Sequence, residues 1–153
     1  VRTPRAVAVV AEGRRVLVIK RYLRKESAED CVKCADDGRK GPGCPGHHYA
    51  VLPGGHVEDG ESGEEAALRE LREETTLEAR IDRLLWRGRH HGRPVGYYLM
   101  RDVRGSAELS GPEAHAHGPE NSFELLWAPP DAFGELNLYP PDIREPLSRL
   151  LMD

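Results

Sequence analysis

Three glutamates, Glu70, Glu73 and Glu74, stand at i, i+3 and i+4 in the run Arg69-Glu70-Leu71-Arg72-Glu73-Glu74. On a helix, positions so spaced share an arc of about 100°. Like charges at that spacing repel and need a cation nearby. A solvated acidic face neutralised by Arg69 and Arg72 is the plain reading. Two neighbours point instead to a metal ion. Gly54-Gly55 lie upstream, and a backbone without Cβ atoms can approach an ion closely. Glu61 adds a fourth acid beside the start of the helix. Hard oxygen donors gathered in this way suit Mg²⁺ or Mn²⁺, ions that also bind phosphates.

A second set of donors has different chemistry. Cys31-Val32-Lys33-Cys34 and Cys44-Pro45-Gly46-His47-His48 hold all three cysteines of the chain. Cys-x-x-Cys with Cys-x-x-His is a closed four-ligand set for tetrahedral zinc. Spacing prefers Cys31, Cys34, Cys44 and His47, with His48 the alternative fourth ligand. Residues 35–43 are too polar and glycine-rich to fold around apolar side chains. A zinc-binding insertion over 25–48, ordered by its metal, is therefore expected. Its rivals are a disordered loop with free thiols and a redox pair at Cys31 and Cys34, which lacks a βαβ setting.

Elements must position these groups. Ser62 and Glu65 have capping-box spacing, and Ala67, Leu68 and Leu71 give the following helix one apolar stripe. Valine-rich runs at 5–11 and 15–21, separated by Glu12-Gly13-Arg14, predict a strand pair with a tight turn. A short strand at 49–53 delivers the double glycine. Runs at 78–89 and 94–104 predict a second hairpin around His90-His91-Gly92-Arg93. Then come a loop at 105–122, a strand at 123–128, a helix start near Ala132 and Phe133, and a closing helix over 142–152 capped by Asp142. Aromatic residues Trp86, Tyr97 and Tyr98 are expected in the core or around a base.

The 153 residues suit one domain, with 39% hydrophobic and 31% charged residues. A net charge of −4 makes no electrostatic case for nucleic acid or an acidic membrane surface. The longest apolar run, residues 6–11, is too short to span a bilayer, and no signal-peptide pattern precedes it. A cytoplasmic protein is expected. Oligomeric state is open, a homodimer included.

The order Gly55, five residues, Glu61, seven residues, Arg69-Glu70-Leu71-Arg72-Glu73-Glu74, then Thr75-Thr76-Leu77 resembles the signature of the Nudix hydrolase family. One position departs: Thr76 stands where that family has glycine, which ends the helix in a left-handed turn that a β-branched residue dislikes. The resemblance implies an α/β/α sandwich with a mixed sheet between the signature helix and the C-terminal helix. It implies Mg²⁺- or Mn²⁺-dependent hydrolysis of the diphosphate linkage in a nucleoside diphosphate derivative, a small-molecule nucleotide. Glu70, Glu73 and Glu74, with the Gly54 carbonyl, would be the metal ligands. Glu61 and Arg69 would brace the loop against the helix. A further glutamate from a later loop often completes such a site; Glu120 is the first choice, then Glu124 and Glu113. Arg21 and Arg24 are candidate phosphate contacts, and Asn137 and Tyr139 candidate base contacts.

Two other functions compete. A zinc knuckle could serve a nucleic-acid-binding module, but Lys33, Arg39 and Lys40 are offset by Glu29, Asp30, Asp36 and Asp37. No aromatic residue interleaves with them before Tyr49, so a stacking platform is missing. Structural support for the rim of the cleft is preferred. A nucleotide sensor that binds without hydrolysing is the other rival; intact signature acids favour catalysis.

Overall fold

A computed structural model describes residues 3–153. In chain order the strands are β1 (Arg5–Val9), β2 (Ala11–Glu12), β3 (Arg15–Leu23), β4 (His47–Val51), β5 (Gly54–His56), β6 (Glu78–His90), β7 (Arg93–Arg104) and β8 (Asn121–Ala128). The helices are α1 (Val32–Asp36), α2 (Gly63–Thr75), α3 (Pro112–Ala116) and α4 (Arg144–Met152).

Two sheets form. One has the order β5-β1-β7-β6, with β1 parallel to β7 and the other neighbours antiparallel. In the other, β3 is flanked by β2 and β4 on one side and by β8 on the other, all antiparallel. The expected hairpin over 5–11 and 15–21 is therefore corrected. Only Ala11 and Glu12 pair with β3, while β1 runs through the middle of the mixed sheet. Burial explains the choice. Ala6, Val7, Ala8 and Val9 are all buried, so β1 needs cover on both faces and finds it between two helices.

Alternation along β1 divides the core. Val7 and Val9 join Leu138, Ile143, Leu147 and Leu151 under α4. Ala6, Ala8 and Val10 meet Ala66, Ala67 and Leu71 of α2. The α/β/α layering expected from the resemblance is present, although the strands divide into two sheets rather than one.

Helix α2 starts as its sequence dictates. Glu65 N–H donates to the Ser62 hydroxyl at 3.1 Å, and Ser62 N–H donates to the Glu65 carboxylate at 2.9 Å. It ends at Thr76, which takes the left-handed turn at φ 65°, ψ −2° despite its β-branch. Thr76 N–H donates to the Arg72 carbonyl at 2.9 Å and its hydroxyl to the Ser106 carbonyl at 2.9 Å. These two bonds hold a conformation that glycine would adopt without strain.

Other boundaries differ from expectation. The closing helix starts at Arg144 after a 3₁₀ turn at Pro141–Ile143, so Asp142 does not cap it. Pro130–Ala132 is only a 3₁₀ turn, and the loop at 105–122 contains α3. The insertion has local structure: a 3₁₀ turn at Ala28–Asp30 leads into α1, and Ala28, Cys31, Cys34 and Cys44 pack with Leu23 and Tyr49, while residues 35–43 contribute nothing to that small core. Among the described residues no helix is long and apolar enough to cross a membrane.

Candidate active site

Arg69 organises the acidic end of the site. Its guanidinium donates to both oxygens of Glu61, Nε to Oε2 at 2.7 Å and Nη2 to Oε1 at 3.0 Å. Nη1 donates to Glu70 Oε1 at 3.0 Å and to Glu73 Oε2 at 3.2 Å. Nη2 also reaches the His56 carbonyl at 3.0 Å. One planar cation thus ties the glycine loop, its terminal acid and two signature carboxylates together. Hydrogen bonding from Arg69, reinforced by the Glu58 N–H, holds the Glu61 carboxyl down at about 2. The same pairing raises Arg69 further above its already high value.

The signature acids occupy graded environments. Glu74 is only 4% exposed, and the Gly54 N–H donates to its Oε2 at 3.4 Å. Glu70 lies against Gly55, where an added Cβ would stand 2.5 Å from the carboxylate. Glu73 is the most exposed of the three, with its backbone carbonyl taking a hydrogen bond from the Ser110 hydroxyl. Arg69 occupies one oxygen each of Glu70 and Glu73, so each carboxylate retains a second oxygen for a ligand. Hard oxygens beside a glycine backbone are donors of the kind a divalent cation takes, although the three carboxylates do not converge within 4.8 Å of one another as the thiols and imidazole of the insertion do.

Beyond Glu74 and Gly54 opens a cleft of ≈ 250 Å³. Arg5, Arg21 and Lys33 line it along with Asp36, Tyr49 and Tyr139. Arg21 lies 4.0 Å from the centre of the Phe123 ring and donates to the Asn121 side chain. Of the four candidate substrate contacts Arg21, Arg24, Asn137 and Tyr139, Arg21 and Tyr139 line this cleft, as do Gly54 and Glu74 of the candidate metal site. Arg24 and Glu120 do not: they pair with each other at 3.2 Å on the surface. Asn137 shapes a turn, with its side chain donating to the His48 carbonyl at 3.2 Å and accepting from Arg144 at 2.9 Å.

Glu120, the first choice for a further metal ligand, is thus engaged by Arg24 and is not among the residues lining the cleft. Glu124, on the opposite side of β8 from Phe123, is exposed across from Lys20. What docks at the end of α2 is the loop before α3. Ser110 N–H donates to the Glu74 carbonyl and Glu108 N–H to the Thr75 carbonyl, both at 2.9 Å. Glu113 follows in α3, and its side chain lies outside the described residues.

The chain's second donor cluster is closed. Ligand atoms of Cys31, Cys34, Cys44 and His47 all lie within 4.8 Å of one another, the one such group of three or more among the described residues. Cys34 Sγ is 3.2 Å from His47 Nε2, and His47 Nδ1 is 3.7 Å from Asp37 Oδ2. A carboxylate behind a histidine fixes its ring orientation in metal sites. His48 instead packs on Tyr22, their ring centres 4.7 Å apart. Burial and the neighbouring thiols of Cys44 and Cys31 push Cys34 up to about 12. Burial also acts upward on Cys44, but N–H groups of Lys25 and Gly46 and the adjacent thiols outweigh it and bring it to about 6.

Comparison with known proteins decides the family. The NUDIX domain family model matches residues 1–150. The chain belongs to the NUDIX family. Its relatives include an RNA pyrophosphohydrolase of Erythrobacter litoralis, 29% identical over 104 residues, which span 56% of this chain and 62% of that protein. The ORF135 protein of E. coli has the same fold, with a TM-score of 0.58 at 22% identity over 98% of this chain and 88% of that one. The structure from the study of MutT from Aliivibrio salmonicida and Vibrio cholerae matches with a TM-score of 0.62 at 16% identity, over 99% and 98% of the two chains. As a NUDIX protein the chain carries a cysteine insertion, expected from its sequence to support the rim of the cleft, and the structure adds which of its residues face the cleft. Lys33 and Asp36 of the cysteine insertion form part of its wall. Their position between and just after two clustered cysteines was the available signal, since a metal knuckle holds its intervening residues rigid.

Proposed function

We propose that this chain is a Mg²⁺- or Mn²⁺-dependent hydrolase of the diphosphate linkage in a small nucleotide, such as a nucleoside triphosphate or nucleotide sugar. The observation carrying this reading is the arrangement of Glu70 and Glu74 against the Gly55 and Gly54 backbone, at the acidic end of a cleft with cationic walls. The Gly54 backbone, Glu70, Glu73 and Glu74 would hold the divalent ion. Once bound, such an ion neutralises charge on the diphosphate and acidifies a water.

The chain's own residues do the rest. Arg69 holds Glu70 and Glu73 in fixed rotamers, so little ordering is left for the moment of binding. Arg21 faces the anionic substrate. One carboxylate among Glu70, Glu73 and Glu74 takes the proton of the attacking water, whose oxygen bonds to phosphorus as the bridging P–O bond breaks. Cys31, Cys34, Cys44 and His47 would hold a structural zinc, with sulfur and nitrogen donors suited to that ion.

The test is release of phosphate, pyrophosphate or nucleoside monophosphate across a nucleotide panel with Mg²⁺ or Mn²⁺. The relative's name adds an RNA with a terminal polyphosphate to the panel. Wild-type protein should turn over at least one compound. Glu74→Gln should fold normally and lose turnover by roughly a hundredfold or more, the scale expected for a lost catalytic contact. Binding without product in the wild type would instead establish a sensor.

A further inference from the structure

The cysteine insertion is built into the cleft. Lys33 lies between two cysteines of the donor cluster and is only 8% exposed. Its ammonium sits 3.6 Å from the centre of the Tyr139 ring and 4.6 Å from that of Tyr49. Asp36 Oδ2 is 4.0 Å away. Among the described residues that long ion pair is the one Lys33 makes, so the ammonium's three donors are incompletely used there. On the far side, Asp36 Oδ1 stands 3.6 Å from His91 Nδ1 at the tip of the β6–β7 hairpin. The insertion therefore spans the cleft from the β3–β4 side to that hairpin.

Charge sets what the wall can receive. Arg5, Arg21 and Lys33 line the cleft against Glu74 and Asp36, and Glu74 belongs to the carboxylate end. A cationic wall in a chain of net charge −4 marks a local preference for anions. A neutral sugar offers an ammonium only uncharged hydroxyl acceptors, whereas a phosphate offers charged oxygens that bind it about twice as strongly.

We propose that Lys33 is a specificity-determining residue that binds a phosphate beyond the scissile diphosphate. The Cys31, Cys34, Cys44 and His47 cluster holds it in place. This assigns the substrate class as compounds with three or more linked phosphates, in preference to diphosphates ending in a neutral group. It rests on the hydrolase reading of the same cleft.

Calorimetry on the zinc-loaded full chain tests the assignment, with inorganic tripolyphosphate and pyrophosphate as probes. Lys33→Met keeps the alkyl stem against Tyr139 and removes the charge. It should weaken tripolyphosphate binding by about tenfold, the scale of one hydrogen bond to a charged group, and pyrophosphate binding by less than about twofold. Lys33→Arg should restore most of the loss, and Lys40→Ala, on the exposed part of the insertion, should behave as wild type. Zinc content equal to wild type shows that the insertion is intact; if Lys33→Met loses zinc, Lys33→Gln carries the same comparison.

Equal losses for both probes, no loss at all, or a wild-type protein that ignores tripolyphosphate would overturn the assignment. These affinities can be read without turnover, so the two proposals fail separately. A protein that hydrolyses nucleotides but binds tripolyphosphate equally well without Lys33 refutes only the role of Lys33. One that shows no hydrolysis yet loses affinity in Lys33→Met refutes only the enzyme.

Discussion

Gly55 and Glu70 are in such close approach that a Cβ on Gly55 would stand 2.5 Å from the glutamate's carboxylate. This follows from the pairing of β5 with β1, which leaves the loop backbone directly over α2. The φ of Gly55 is not in the left-handed region, so what a side chain at position 55 would disturb is the flexible end of Glu70 and not the backbone.

Gly55→Ala should therefore displace the Glu70 carboxylate. Turnover should fall by about tenfold to a hundredfold, since small displacements of a positioned group are costly to catalysis. Thermal stability should drop by only about 1–3 kcal/mol, the usual cost of overpacking. Steady-state kinetics and a melting curve test both; unchanged turnover would release Glu70 from its role.

The Glu61–Arg69 pair predicts an acid dependence. The carboxyl of Glu61 is lowered from 4.5 to about 2 by its partner. A group depressed in the folded state contributes its full stabilisation above its unfolded value. That contribution is lost as pH falls through the folded value. Between about 4.5 and about 2, wild-type protein should therefore lose stability that Glu61→Gln never had. Denaturation curves at a series of pH values should show the two proteins converging through this window.

Thr76→Gly should stabilise the protein. Threonine in the left-handed region costs about 1–2 kcal/mol, and the exposed hydroxyl bond to Ser106 returns less than that. We expect a net gain of about 0.5–1 kcal/mol after glycine's greater unfolded-state freedom. A lower melting temperature would mean that the Ser106 bond holds the loop more firmly than its exposure suggests.

If the cysteine cluster holds the proposed zinc, removing that ion should undo the insertion and spare the body. Its small core of Leu23, Ala28, Tyr49 and the cysteines is separate from the clusters beneath α2 and α4. Cys44→Ser should reduce zinc from one equivalent and make residues 25–46 exchange amide hydrogens rapidly. Protection in α2 and β1 should persist. Global unfolding of that variant would show that the insertion is part of the main cooperative unit.

The NUDIX signature and the donor set of the insertion were legible because their information is local. A capping box at Ser62, an apolar stripe and carboxylates at i, i+3 and i+4 each depend on residues within a few helical turns. Cys-x-x-Cys and Cys-x-x-His likewise bring their donors together over short spans, and the preference for His47 over His48 followed from spacing alone.

What the sequence could not determine depended on distant partners. Adjacent runs at 5–11 and 15–21 suggested a hairpin, yet β1 found its parallel partner in β7, some ninety residues on. Glu120 was singled out by type, and its partner Arg24, some ninety-six residues earlier, became apparent only from the fold. Lys33 looked like one charge in a polar loop until the fold set it over Tyr139. Helix caps and ligand spacings are decided by bonds along the chain, whereas strand partners and the walls of a cleft are decided by which buried faces meet.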